Sequence, residues 1–240
     1  MVAITGPGGI GKTALAIRWA HTVAAGYPDG QLYVNLRGYG PGQPVRAGTV
    51  LGIFLLALGV PVEQIPADEA IAASRYRSLV AGRRVLVVLD NAAGAEQVRE
   101  LLPATAGSLG LVTSRNSLTG LSARDGARRL PLRSLDAAEA VELLGRMLGS
   151  GRVAAEADRA AELAAACGHL PLALRIAGAH LQDDPQRTIV DYLDTLRDDG
   201  RLATLAIAGD EQSAVRITFD ESYQRLPGPA AATRRQRRHR

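Results

Sequence analysis

Residues 6–13, which read GPGGIGKT, constrain the fold of this chain more than any other stretch of its sequence. They match the pattern G-x-x-x-x-G-K-[ST] at every fixed position. The preceding residues, VAIT, are typical of a short strand, and the residues from Ala14 onward have the apolar spacing of a helix. Between a strand and a helix, such a loop turns successive backbone N–H groups inward and forms a concave anion site. The stretch therefore predicts a phosphate-binding loop within an α/β fold.

The residue types in this loop agree with polyphosphate binding. Glycine lets the backbone approach the phosphates, the Lys12 ammonium would reach the β- and γ-phosphates, and the Thr13 hydroxyl would bind Mg²⁺. Lys12 is the only lysine of the chain, so a compact ammonium is favoured where arginine serves everywhere else. The alternative is a glycine-rich turn without a ligand. We expect the loop to contact a nucleotide through Gly6, Gly8, Gly9, Ile10, Gly11, Lys12, Thr13 and Ala14.

A second feature of nucleotide-binding proteins is found at Asp90. Residues 85–89, VLVVL, are typical of a parallel strand that is buried on both faces, and Asp90 follows directly. An aspartate at the carboxyl end of such a strand is the Walker B pattern, and it would hold the same Mg²⁺ as Thr13. The alternative is that Asp90 caps a helix over residues 92–102. Asn91 stands where a fast hydrolase has a glutamate that activates water, so we expect slow or no hydrolysis.

Strands and helices alternate through the first 132 residues. This alternation is typical of a doubly wound parallel sheet, so we predict an α/β P-loop nucleotide-binding domain over residues 1–132. Arg115 follows the fourth predicted strand, where its guanidinium would lie near the γ-phosphate; a surface arginine is the alternative. The five predicted strands cover residues 2–5, 31–36, 85–89, 110–113 and 129–132.

Helix patterns replace strand patterns after residue 132. Asp136 is suited to cap a helix, and Pro171 lies near the first turn of a later one. The glycines and serine of residues 149–151 predict a linker. We predict a helical subdomain over residues 133–200, with helices over residues 136–148, 154–167, 170–181 and 189–196.

The positive charge of the chain is concentrated at its end. The net charge is +4, but residues 234–240, RRQRRHR, contain five arginines, and without them 23 cationic residues face 24 acidic ones, a balance of −1. Such a tail can bind nucleic acid weakly and without specificity, and a solvated end is the favoured alternative. We therefore expect DNA to be contacted only indirectly or weakly.

Composition bears on the compartment and on membrane contact. A hydrophobic fraction of 47% suffices for a packed core. Cys167 is the single cysteine, so no disulfide can form within the chain, which fits a reducing compartment. No signal peptide is recognisable, and the longest apolar run, residues 50–60, is too short to cross a bilayer. We predict a cytoplasmic protein without a membrane partner.

Several motifs in order resemble the NB-ARC group of signal-transduction ATPases (STAND class). More narrowly, the chain resembles the nucleotide-binding segment of actinobacterial antibiotic-regulatory activators and related transcription factors. The resemblance covers residues 2–228 and rests on GPGGIGKTALA, QLYVNLRGYGP, RRVLVVLDNA, EQVRELLP, LVTSR and CGHLPLALRIAGAHL. Residues 219–226, FDESYQRL, resemble the start of the family's winged-helix subdomain. Residues 201–240 are therefore predicted to be a truncated winged-helix start with the basic tail.

The resemblance implies a role for each matching residue. Residues 6–13 hold the phosphates of ATP or ADP, Asp90 supports Mg²⁺, and Arg115 senses the γ-phosphate; Asp90 and Arg115 are also the candidates for a catalytic role. Pro171, with Leu172, packs on the adenine, because a rigid apolar ring can cover a base without a hydrogen-bonding demand. The family's later histidine sensor and its upstream adenine contact have no counterpart here. We therefore expect a piece of a longer protein: an excised domain, a gene remnant or a mis-called frame.

These features favour an ATP/ADP switch with slow or no hydrolysis, which acts with other domains or protomers of a larger regulator. The nucleotide would bridge the α/β and helical domains, so that its two forms favour different packings. The alternatives are a turnover-competent P-loop ATPase or small-molecule kinase, and a nucleic-acid-binding module that works through the tail. The sequence argues against a GTPase, because an N-K-x-D motif needs a second lysine and the chain has none.

Overall fold

A computed structural model describes residues 1–40 and 42–198 of the chain. The chain divides into two compact units. The first consists of Met1–Gly6 and Lys12–Leu132, and the second contains Pro7–Gly11 together with the chain from Arg133 onward. The predicted winged-helix start and basic tail, residues 201–240, lie outside the described residues.

The first unit is built on a parallel sheet of five strands: β1 (Val2–Thr5), β2 (Gly30–Asn35), β3 (Val85–Ala92), β4 (Leu109–Ser114) and β5 (Arg128–Pro131). Their order in the sheet is β2-β3-β4-β1-β5. β4 therefore separates the strand that precedes the phosphate loop from the strand that carries Asp90. Almost all of β3 is buried, as its continuous apolar sequence requires. The parallel α/β fold predicted from the sequence is confirmed.

Helices pack on both faces of this sheet: α1 (Lys12–Val23), α2 (Ala47–Ala57), α3 (Glu69–Val80), α4 (Ala95–Arg99) and α5 (Thr119–Asp125). Alternate residues of β3 belong to different cores, as the two-residue period of a strand requires. Leu86 and Val88 belong to the smaller core, which includes Ala16 of α1. Val87 and Leu89 belong to the larger core, which includes residues of α2 and α3. The sheet is thus doubly wound, and α5 is a helix that the sequence patterns did not predict.

β3 continues past Asp90, where the apolar pattern predicted its end. Its pairing with β4 changes register between Leu89 and Ala92 and resumes with Ala92 opposite Ser114. Such a bulge re-aims the side chains next to it. Because the strand reaches Ala92, α4 is much shorter than the predicted helix over residues 92–102, and its N-terminal cap is Gly94. Asp90 is therefore not a helix cap, and the alternative interpretation of this residue is wrong.

Within residues 133–198 the second unit contains α6 (Ala137–Leu148), α7 (Ser150–Ala155), α8 (Ala157–Ala166), α9 (Pro171–Asp183) and α10 (Ile189–Asp198). Asp136 begins α6 with a reciprocal cap: its carboxylate accepts from the Glu139 N–H at 2.8 Å, and the Glu139 carboxylate accepts from the Asp136 N–H at 2.9 Å. Gly149, with a φ of 90°, separates α6 from α7 directly, so the predicted linker over residues 149–151 is wrong. None of the helices in the described ranges combines the length and apolar character needed to cross a bilayer.

Candidate nucleotide-binding site

The predicted phosphate loop connects β1 to α1 through glycines in unusual backbone conformations. Gly9 and Gly11 have φ values of 71° and 94°, which residues with a Cβ rarely adopt. α1 begins at Lys12, so the N-terminal end of its dipole directly follows the loop. The other predicted contact residues differ in exposure: Gly8 and Ile10 are buried, Gly6 is partly buried, and Ala14 is exposed.

Lys12 is an almost fully buried cation, with 9% of its surface exposed. Its ammonium donates a hydrogen bond to the carbonyl of Gly6 at 3.0 Å. The pKa of Lys12 is lowered to about 8, mainly by burial and then by the nearby positive charge of Arg115, while Asp90 acts in the opposite direction. Burial and Arg115 therefore disfavour the charged form of Lys12. An anion beside this ammonium would restore its pKa.

Thr13 and Asp90 place two oxygen atoms together at the carboxyl end of β3. The Thr13 hydroxyl donates to Asp90 Oδ1 at 2.8 Å, and Asp90 is 3% exposed. Hydroxyl and carboxylate oxygens suit Mg²⁺, which binds few protein ligands and completes its shell with water and phosphate oxygens. The donor set therefore fits the ion that the sequence predicted for these two residues. Among the described residues, no group of three or more His, Cys, Asp and Glu side chains is placed to hold a metal.

Thr113, which the sequence pattern identifies only as the end of a strand, is also a residue of the site. Its hydroxyl donates to Asp90 Oδ1 at 2.5 Å and accepts from the Asn91 N–H at 2.9 Å, and the residue is 1% exposed. One hydroxyl thus fixes both the Asp90 carboxylate and the backbone that follows it. The signal available in the sequence was a hydroxyl residue at the end of an apolar strand, next to the strand that carries the aspartate.

Asn91 connects the end of β3 to the loop that follows β2. Its φ of 57° lies in the left-handed region, which asparagine adopts more readily than most residues. Its side-chain amide donates to the carbonyl of Tyr39 at 2.8 Å, and its own carbonyl accepts from the Gly38 N–H at 2.7 Å. A Cβ on Gly38 would lie 2.2 Å from the backbone nitrogen of Ala93, so only glycine fits there. No local pattern in the sequence predicts this contact.

Arg115 follows β4 and lies over the ring of Tyr39, with its guanidinium carbon 4.9 Å from the ring centre. This distance is typical of a cation–π interaction. Tyr39 is 6% exposed, which makes it a fixed support rather than a surface residue. Because Arg115 also lowers the pKa of Lys12, its charge acts on the cation of the phosphate loop. The first unit thus brings together Lys12, Thr13, Asp90 and Arg115, the four side chains that the sequence analysis selected from it.

The remaining predicted residues, Pro171 and Leu172, open α9 in the second unit. Proline is well suited to the first turn of a helix, where its missing N–H has no partner to lose. The Leu172 N–H donates to the carbonyl of Gly9 at 3.1 Å. A Cβ on Gly9 would lie 3.2 Å from Leu172 Cβ, so the loop and the helix start are closely packed. Within this unit, the predicted adenine residues are therefore attached to residues 7–11 of the loop.

The chain is similar to known regulatory proteins. It is 44% identical over 233 residues to the regulatory protein AfsR of Streptomyces coelicolor, a match that covers 97% of this chain and 23% of the relative. It is 42% identical to the regulatory protein AfsR of Streptomyces griseus, with the same coverage of both chains. A relative from Mycobacterium bovis named as an HTH-type transcriptional regulator is 32% identical, over 94% of this chain and 25% of its own length.

The chain spans only about a quarter of the length of the curated relatives that it matches. No family model matches it. Among solved structures, the Walker-type ATPase PABY2304 of Pyrococcus abyssi aligns over 98% of this chain and 71% of its own, with 13% identity and a TM-score of 0.49.

Proposed function

We propose that this chain is the ATP/ADP-binding switch domain of a larger transcriptional regulator of the NB-ARC (STAND) type, with slow or no hydrolysis. The observation that carries the proposal is the 2.8 Å contact between the Thr13 hydroxyl and the Asp90 carboxylate. These residues are 77 positions apart, and the parallel sheet brings them together in the unit that also holds the buried ammonium of Lys12, which directly follows the glycine loop in the sequence. A polyphosphate with its magnesium ion is the ligand that this combination of groups suits best.

Each part of the nucleotide has a proposed partner. Loop N–H groups and Lys12 bind the α-, β- and γ-phosphates, and Thr13 and Asp90 hold Mg²⁺, which neutralises phosphate charge when it is bound. Arg115 contacts the γ-phosphate, which only ATP has. Pro171 and Leu172 pack on the adenine, and their attachment to Gly9 within the second unit supports this assignment.

Slow hydrolysis follows from the residue after Asp90. An amide is a poor base, so Asn91 cannot take a proton from water as a carboxylate would. Its side chain already donates to the Tyr39 carbonyl, which gives it a structural role at the end of β3. A protein that binds ATP and turns it over slowly can remain in one nucleotide state long enough to act as a switch.

The regulatory part of the proposal rests on similarity. The relatives are named regulatory or transcriptional proteins, and this chain matches only about a quarter of their length. We propose that the rest of such a protein, or other protomers of it, receives the nucleotide state, and that DNA contact is indirect or occurs weakly through the basic tail. The site of action is proposed to be the cytoplasm.

Mass spectrometry of the nucleotide that co-purifies with the chain tests this proposal. We expect ADP or ATP in the wild-type protein and none in Lys12→Met, a control variant that keeps the length of the side chain and removes its charge. In the same preparation, ATP turnover should be far below about 1 s⁻¹, the lower end of common enzyme rates. Wild-type protein that neither retains nor rebinds nucleotide would contradict the proposal, and turnover above that rate would favour an ATPase or kinase.

A further inference from the structure

We propose that Tyr39 is a positioning residue that makes Arg115 selective for a nucleoside triphosphate over a diphosphate. This inference rests on the proposed function, because it assigns a new residue to the same site. Its basis is the cation–π contact between the two residues, with 4.9 Å from the guanidinium carbon to the ring centre. The sequence separates Tyr39 and Arg115 by two strands of the sheet, and only the fold brings them together.

Hydrogen bonds fix the backbone around Tyr39. The Tyr39 carbonyl accepts from the Asn91 side-chain amide at 2.8 Å. The N–H of the preceding residue, Gly38, donates to the Asn91 carbonyl at 2.7 Å. The side chain of Gln97 donates to the carbonyls of Leu36 and Val45, at 3.0 and 2.9 Å, and so closes the loop on either side of the ring. Tyr39 is therefore a rigid platform.

The platform supports one face of the guanidinium and leaves its chemistry intact. A cation–π contact uses the face of the planar group, whereas its N–H donors point outward in the plane of the group. The ring is neutral, so this contact does not neutralise the charge of Arg115. An acidic partner in the place of Tyr39 would instead compete with the phosphate for the same charge.

Positioning of this kind affects ATP and ADP differently, since only ATP carries a γ-phosphate. Arginine has many rotamers and loses that freedom when it binds an anion. A guanidinium that already rests on a buried ring has lost part of this freedom before the nucleotide arrives. Removing the ring should therefore weaken ATP binding and leave ADP binding unchanged.

The test compares the Kd values of Mg·ATP and Mg·ADP for wild type, Tyr39→Leu, Tyr39→Phe and Arg115→Ala, by isothermal titration calorimetry on the full chain. Tyr39→Leu fills the space without a ring and should weaken ATP binding about tenfold, with ADP binding changed less than about twofold. Tyr39→Phe keeps the ring and should keep the wild-type ratio of the two Kd values. Arg115→Ala should also lose the preference for ATP over ADP. In the double variant, Tyr39→Leu should have no further effect on the ratio of the two Kd values.

Asn91→Gly provides a second route if Tyr39→Leu does not fold. Glycine accepts the left-handed backbone of this position, while the hydrogen bond to the Tyr39 carbonyl is lost, so a smaller decrease in ATP preference is expected. The inference is overturned if Tyr39→Leu keeps the wild-type ratio, if it weakens both nucleotides equally, or if Tyr39→Phe loses as much as Tyr39→Leu. Failure of the proposed function looks different, because wild type would then bind neither nucleotide.

Discussion

Raising the pH from about 7.5 to about 9.5 should weaken nucleotide binding about 20-fold, because Lys12 loses its proton within this window. The pKa of Lys12 in the nucleotide-free protein is about 8, lowered mainly by burial and then by Arg115. A bound polyphosphate stabilises the ammonium and raises that pKa, so binding above pH 8 requires the uptake of a proton. The affinity for nucleotide is therefore highest well below pH 8, where Lys12 is protonated. Above pH 8 it falls by up to about tenfold per pH unit.

The stability of the nucleotide-free protein should change in the opposite direction. In the unfolded chain Lys12 has its ordinary pKa of 10.5, whereas in the folded chain it has a pKa of about 8. Between these values the unfolded state binds more protons, so the contribution of Lys12 to the free energy of unfolding rises with pH. Over the same window the rise is on the order of 2 kcal/mol.

Calorimetric titration of Mg·ADP in two buffers with different ionisation enthalpies measures the proton uptake directly. We choose ADP and not ATP as the titrant, because ADP has no γ-phosphate and its binding does not depend on the proposed contact with Arg115. Lys12→Met is the matched variant for unfolding by denaturant: the difference in unfolding free energy between it and wild type should shrink as the pH rises. Affinity that is constant between pH 7.5 and 9.5, without proton uptake, would refute the assignment of Lys12 to the phosphates.

Three further changes follow from the contacts of the site. Thr113→Val removes the hydroxyl that bonds to Asp90 and to the Asn91 N–H. Denaturant unfolding should show a free energy of unfolding lower by about 1–3 kcal/mol, and the affinity for Mg·ADP should fall as well. Unchanged values of both would contradict the role of Thr113. Gly38→Ala places a Cβ 2.2 Å from the Ala93 nitrogen and should lower the free energy of unfolding by more than about 2 kcal/mol. In the control Gly94→Ala, the new Cβ meets nothing within 4 Å and should cost far less. Similar losses in the two variants would argue against the close approach at Gly38. Pro171→Asp should weaken ATP binding more than binding of inorganic triphosphate, and equal losses would exclude an adenine contact.

The sequence predicted those parts of the molecule that local patterns determine. The glycine loop, the buried strand before Asp90 and the helix cap at Asp136 depend on residues that are close in the chain, and each lies where the pattern placed it. The bulge after Leu89 could not be predicted in this way, because it depends on pairing between β3 and β4. The apolar pattern ends before Asp90, whereas β3 continues to Ala92.

The supporting residues of the site were missed for the same reason. Tyr39 lies in a loop rich in glycine and proline, and nothing near it in the sequence indicates that its ring is buried beneath Arg115. Thr113 and Asn91 acquire their roles from contacts with residues 22 to 52 positions away. Motifs identify the groups that would touch a nucleotide, whereas the groups that hold them in place are determined by the fold.

Equilibrium binding of Mg·ADP to nucleotide-free protein, compared between wild type and Lys12→Ala, tests the central claim most directly. The account predicts saturable binding of one nucleotide per wild-type chain, weakened by removal of magnesium, and no binding by the variant although its circular dichroism spectrum is unchanged. Equal affinity in the two proteins, or a folded wild-type chain that binds no nucleotide, would contradict it.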